Sequence, residues 1–150
     1  MSQIPKRFLI VAARKDRADM QRLAALLDGF VREGRIQLWH NDNMEPGAAW
    51  DEVLPQRLQD ANIIAVLCSR DASNDPYYAD LIEMALERVR NREPVVLVPV
   101  LLDLSPVPFG LRRLQATPDA VPINERSDPE SGWGKVVQDF SCLLDQLFRT

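Results

Sequence analysis

Among 150 residues the sequence holds one histidine, His40, and two cysteines, Cys68 and Cys142. A lone imidazole makes a His-based metal cluster or a Ser-His-Asp triad hard to build, so no metal site is expected. The two cysteines lie far apart without a CxxC spacing, which reads as reduced thiols in a cytosolic protein. No apolar run approaches the ~18–20 residues of a membrane span, and Met1-Ser2-Gln3-Ile4-Pro5-Lys6 lacks the apolar stretch of a signal peptide. No membrane contact is expected from either feature. Basic charge is not in excess: 18 Lys and Arg face 22 Asp and Glu, for a net charge of -4. With no Lys/Arg block, the electrostatic footprint of a nucleic-acid binder is missing. Glycine is scarce, and none stands in Ala12-Ala13-Arg14-Lys15-Asp16, after the first apolar run. That excludes a phosphate-cradling P-loop and a dinucleotide GxGxxG there. The acids a phospho-receiver domain needs are missing too, since Ala12-Ala13-Arg14 and Cys68-Ser69 occupy their places.

What the chain does have is apolar runs alternating with amphipathic stripes. Phe8–Ala13, Ile36–Trp39, Ile63–Cys68 and Val95–Leu101 read as strands, and Ala120–Ile123 as a short fifth. Continuous apolar character, rather than alternation, suits strands covered on both faces. Met20, Leu23, Leu27 and Phe30 form a helical stripe that Gly34 ends. Trp50–Leu58, with Pro55 as a possible distortion, Tyr77–Asn91 and Trp133–Leu147 supply further helices. The alternation predicts an α/β fold: a flavodoxin-like three-layer sandwich with a five-stranded parallel sheet and helices on both faces. The length suits a single domain over residues 1–150. Ligands of such sheets sit beyond the carboxyl ends of the strands, which directs attention to the loops at 12–16, 40–50, 68–78 and 102–109.

At these loops the sequence resembles the Toll/interleukin-1 receptor (TIR) domains, those of bacteria in particular, from about residue 7 to 148. The resemblance rests on Ala13-Arg14-Lys15-Asp16 after the first strand, and on Leu38-Trp39 leading to Glu45-Pro46-Gly47-Ala48-Ala49-Trp50. It continues through Ile63–Ser69, Glu83-Met84 and Val96-Leu97-Val98-Pro99-Val100. Departures from the family pattern fall at Ala12, at His40, and at Ala79 or Asp80 depending on the match.

The resemblance implies a domain that cleaves the nicotinamide–ribose bond of NAD+, releasing nicotinamide and ADP-ribose or a cyclic isomer. NAD+ is then substrate, and no cofactor is required. It implies Glu83 as the catalytic residue, and Arg14, Lys15, Trp39, Tyr77 and Tyr78 as substrate-binding candidates. It further implies activation by self-association with other TIR domains through a loop carrying Asn43, Met44, Glu45, Pro46, Gly47 and Trp50. The setting would be cytoplasmic, as the effector of a bacterial defence or signalling protein with a fused or separate sensor or oligomerisation domain. Two alternatives stand beside this: a non-catalytic TIR scaffold mediating homotypic interaction, and a nucleoside-processing transferase of related topology.

Overall fold

A computed structural model describes residues 4–40, 47, 49–105 and 107–149. Four strands, β1 (Lys6–Val11), β2 (Ile36–Trp39), β3 (Ile63–Cys68) and β4 (Val96–Leu101), form one sheet in the order β2-β1-β3-β4. All three pairings are parallel: Phe8 stands opposite Leu38 and Ile63, and Ile64 opposite Leu97. Every residue of β3 is buried, as its uninterrupted apolar run requires for a central strand.

Side chains alternate between the two faces with period 2. Leu9, Val11, Ile64 and Val66 pack on one side with Leu54 and Leu58 of α2 (Trp50–Asp60) and Leu81, Ile82 and Ala85 of α3 (Pro76–Arg90). Phe8, Ile10, Ile63 and Ala65 pack on the other. There they meet Met20, Leu23 and Leu27 of α1 (Arg17–Arg32) and Val136, Phe140 and Leu144 of α4 (Pro129–Leu147). The Phe8 and Phe140 rings meet edge to face, 4.9 Å between centroids. The helix ends follow local chemistry. After α1, Gly34 takes φ +72°, the Gly34 amide donates to Val31 O and the Arg35 amide to Phe30 O, which together close the last turn. Pro55 lies inside α2, and the helix continues through it.

The expected fifth strand at 120–123 is not formed, so the sheet has four strands rather than five. Among the described residues after β4, only Thr117 bridges to that strand, its amide donating to Pro99 O while its carbonyl accepts from the Leu101 amide. Beyond it Pro118 and Pro122 have no N–H to give a ladder, and the Val121 amide is taken by Asp119 Oδ1. Ile123 is nonetheless buried, at the start of a 3-10 turn running to Glu125. Its apolar character serves the core without a strand.

Candidate functional site

The sheet order places β1 between β2 and β3, so chain direction across the sheet reverses at the carboxyl ends of β1 and β3. A crevice opens at such a switch point because the two following loops diverge to opposite sides. Here it is a cleft of about 510 Å³. Ala13, Arg14 and Lys15 line it after β1, Asp71, Asn74 and Asp75 after β3, and Pro76, Tyr77 and Asp80 from α3.

Asp75 holds this cleft together. Its Oδ1 accepts from the Tyr77 and Tyr78 amides at 3.1 and 3.3 Å, capping α3, while Oδ2 accepts from the Arg14 amide at 3.2 Å. Pro76 then occupies the first helical position, where a missing N–H costs nothing. One carboxylate thus fixes the start of α3 against the loop after β1. Deeper in, the Ser69 hydroxyl donates to Asp16 and accepts from the Ala72 amide at 3.1 Å, tying the two strand ends. Asp16 and Ser69 are both buried. Burial pushes the Asp16 carboxyl above its ordinary range; the Ser69 hydrogen bond opposes this, and the charges of Asp19, Asp71 and Asp103 add to it.

A stability prediction follows. A carboxyl raised in the folded state ionises first in the unfolded chain, so its penalty grows as pH rises from the unfolded value through the folded one. Asp16→Asn keeps an acceptor for Ser69 and removes the charge. Its melting temperature relative to wild type is expected to be highest at pH 7 and to fall back as pH drops towards about 4. Thermal melts of both proteins across that range would show it, and a pH-independent difference would contradict it.

The site candidates fall into distinct surroundings. Arg14, Lys15 and Tyr77 meet at the cleft. The Tyr77 phenol is held above its ordinary value by burial, then by the Asp51 and Asp80 carboxylates, so α2 contributes a charge nearby. Tyr78, by contrast, is a core residue: it is buried, and its hydroxyl donates to Leu67 O at 2.7 Å. Trp39 ends β2 half-buried, packed against the α2/α3 side of the core with the Arg57 guanidinium 5.4 Å from its ring centroid. Cys68 is buried at the end of β3, its thiol pushed up to about 12 chiefly by burial. Asn43, Met44, Glu45 and Pro46 of the expected self-association loop lie outside the described residues. Gly47 is exposed with φ +86°, and Trp50 opens α2.

Glu83 stands on α3 beside the cleft rather than in it. It lines a neighbouring groove of about 580 Å³ between α3 and residues 107–112, floored by Ile82, Leu86, Val107 and Pro108. Its side chain is 67% exposed, and Oε1 accepts from Arg90 Nη2 at 2.5 Å. Tyr77, Asp80 and Glu83 succeed one another at a spacing of three along α3, which sets neighbouring Cβ atoms about 5–6 Å apart. One helix therefore presents Tyr77 and Asp80 to the cleft and a second carboxylate, Glu83, one turn further on. The sequence does not mark Asp75 or Asp80 as cleft residues; Asp80 stands out there only as a departure from the family pattern. The Asp-Pro pair at 75–76, a cap followed by a helix-starting proline, is the signal that could have found the first. Among the described residues, no group of three or more His, Cys, Asp or Glu side chains could hold a metal ion.

The TIR-domain family profile matches residues 8–133, most of the chain. The chain belongs to the TIR family. Solved TIR domains share its fold. That of the Toll-related receptor TRR-2 from Hydra magnipapillata superposes with a TM-score of 0.62 at 20% identity, covering 88% of this chain and 95% of that one. The TIR domains of the activated Roq1 resistosome, which directly recognises the pathogen effector XopQ, give 0.56 at 14% identity over 96% of this chain and 78% of that one. No curated protein gives a significant sequence match. Among the described residues, no helix of this TIR domain is long and apolar enough to cross a membrane.

Proposed function

We propose that this TIR domain is of the bacterial type and cleaves the nicotinamide–ribose bond of NAD+, with Glu83 as the catalytic carboxylate. The observation that carries the reading is the arrangement on α3. Tyr77 and Asp80 line a switch-point cleft with the cations Arg14 and Lys15, and Glu83 follows one turn along the same helix. Arg14 and Lys15 are suited to a pyrophosphate and Tyr77 to a planar base. Tyr78 supports the helix from the core, and Trp39 closes the edge of β2.

A single carboxylate suffices for this chemistry. Ordinary glycosidases need a second carboxyl group to protonate an alkoxide leaving group. Nicotinamide takes the electron pair of the breaking bond and departs neutral, so no proton has to be supplied. The developing oxocarbenium-like ribosyl centre is what needs stabilising, and a nearby anion does so electrostatically. Water then forms the new bond to the anomeric carbon and loses its proton, giving ADP-ribose; attack by an adenine nitrogen gives a cyclic isomer. NAD+ is the substrate throughout, and the scheme requires neither cofactor nor metal.

A second reading, a non-catalytic TIR scaffold, is favoured by one observation: the Glu83 carboxylate is solvated and already ion-paired. Both readings place self-association with other TIR domains in the loop from Asn43 to Trp50, in a cytoplasmic protein whose sensor or oligomerisation domain is fused or separate. The experiment is nicotinamide release across a protein concentration series, followed with light scattering. Turnover per subunit is expected to rise with assembly. Gly47→Pro should suppress that rise, because proline holds φ near −65° where Gly47 has +86°. Assembly without any turnover would support the scaffold instead.

A further inference from the structure

Building on Glu83 as the catalytic carboxylate, we propose that Arg90 is a positioning residue that holds part of the Glu83 charge away from the reaction, and that Glu87 sets the extent by competing for the same guanidinium. Arg90 Nη2 lies 2.5 Å from Glu83 Oε1 and 2.8 Å from Glu87 Oε2. One nitrogen thus serves two carboxylates, one lying two turns and the other one turn back along α3. The negative end of the helix dipole favours a cation at this last residue of α3, which gives Arg90 its own reason to stay there.

The arrangement is asymmetric. Glu83 and Arg90 both line the groove between α3 and residues 107–112, where Arg112 lies with its Nε bonded to Val107 O. Glu87 does not line that groove. Shared between the two acids, Arg90 has one partner inside the groove and one outside it. A carboxylate stabilises a developing cation through its uncompensated charge, and a guanidinium on the same oxygen cancels part of that field. Because all three side chains are more than half exposed, the pairing is weak and the restraint on rate shallow, on the order of two- to fivefold.

The two neighbours of Glu83 therefore act with opposite sign. Arg90→Gln removes the cation and is expected to raise kcat about two- to fivefold with KM unchanged. Glu87→Gln leaves Arg90 wholly to Glu83 and is expected to lower kcat about twofold. Glu87 acts only through Arg90, so the double variant should match Arg90→Gln, while Arg90→Lys should restore the restraint.

The test is steady-state nicotinamide release from NAD+ by wild type, these variants and Glu83→Ala at one protein concentration, with thermal melts alongside. An inactive Glu83→Ala together with the opposed Arg90 and Glu87 effects supports the inference. An inactive Glu83→Ala with Arg90→Gln at or below wild-type kcat overturns it and leaves the catalytic reading standing. So does an altered KM at constant kcat, which would make Arg90 a substrate contact, or a Glu87→Gln effect that persists in the Arg90→Gln background. Wild-type turnover retained in Glu83→Ala, or no turnover in wild type, overturns both.

Discussion

Glu83→Ala is expected to lower nicotinamide release by about 100- to 1,000-fold, the usual consequence of removing one preorganised electrostatic contact to a transition state. The melting temperature should hardly move. The side chain is 67% exposed and its partner Arg90 is 53% exposed, so little packing is lost. Glu83→Gln separates charge from shape: it keeps the outline and an acceptor for Arg90 but no anion. It should be about as inactive as the alanine variant, because a neutral amide does not stabilise a ribosyl cation. A glutamine variant that keeps most of the activity would show that the carboxylate only positions a neighbour. Substrate affinity should survive in both variants, since the cations suited to the pyrophosphate, Arg14 and Lys15, sit in the adjoining cleft.

The largest expected effect on stability belongs to Arg88, a charged residue on the buried stripe of α3. Its Nη1 donates to Leu58 O at 2.8 Å and Ala61 O at 2.7 Å, and its Nε to Glu93 Oε1 at 2.9 Å. The two carbonyls belong to the last turn of α2 and its C-cap, where a helix has acceptors without intrahelical donors. Arg88 thus terminates α2 from a neighbouring helix. Arg88→Ala leaves those acceptors unpaired in a buried place and opens a void beside Leu58. The expected loss is ~3 kcal/mol, a fall in melting temperature of about 6–12 °C for a domain of this size. Arg88→Lys reaches fewer partners with one nitrogen and should fall between the two. Chemical or thermal denaturation decides the point, and an alanine variant as stable as wild type would show that water replaces the guanidinium at no cost. Because α2 begins at Trp50, the end of the proposed self-association loop, assembly is expected to weaken in parallel.

Legibility in the sequence followed burial. β2 and β3 occupy the predicted residues, because each is bounded abruptly by polar ones, Arg35 and His40 for β2 and Asn62 and Ser69 for β3. β1 runs from Lys6 to Val11 rather than from 8 to 13, with Lys6 and Arg7 half-buried and the four later residues buried. Residues 120–123 misled because a buried isoleucine looks alike in a strand and in a 3-10 turn; the prolines at 118 and 122 were the contrary signal. Arg88 was legible in principle: it falls seven residues after Leu81 and three after Ala85, on the apolar stripe, and a charge there needs buried partners. The site was harder to see. Arg14, Lys15 and Tyr77 converge because β1 and β3 are neighbours, a matter of strand order that no local pattern carries. The separation of Tyr77 from Tyr78 is a matter of helix phase, set by where the Asp75 cap starts α3.

The most direct test of the central claim is a mass balance on NAD+. The domain is incubated with NAD+ at high protein concentration, and nicotinamide, ADP-ribose, cyclic isomers and remaining NAD+ are quantified together by chromatography. The account predicts one nicotinamide for each NAD+ consumed, matched by ADP-ribose or its cyclic isomer, and no loss of NAD+ with Glu83→Ala. Intact NAD+ in the presence of assembled wild-type protein would contradict it.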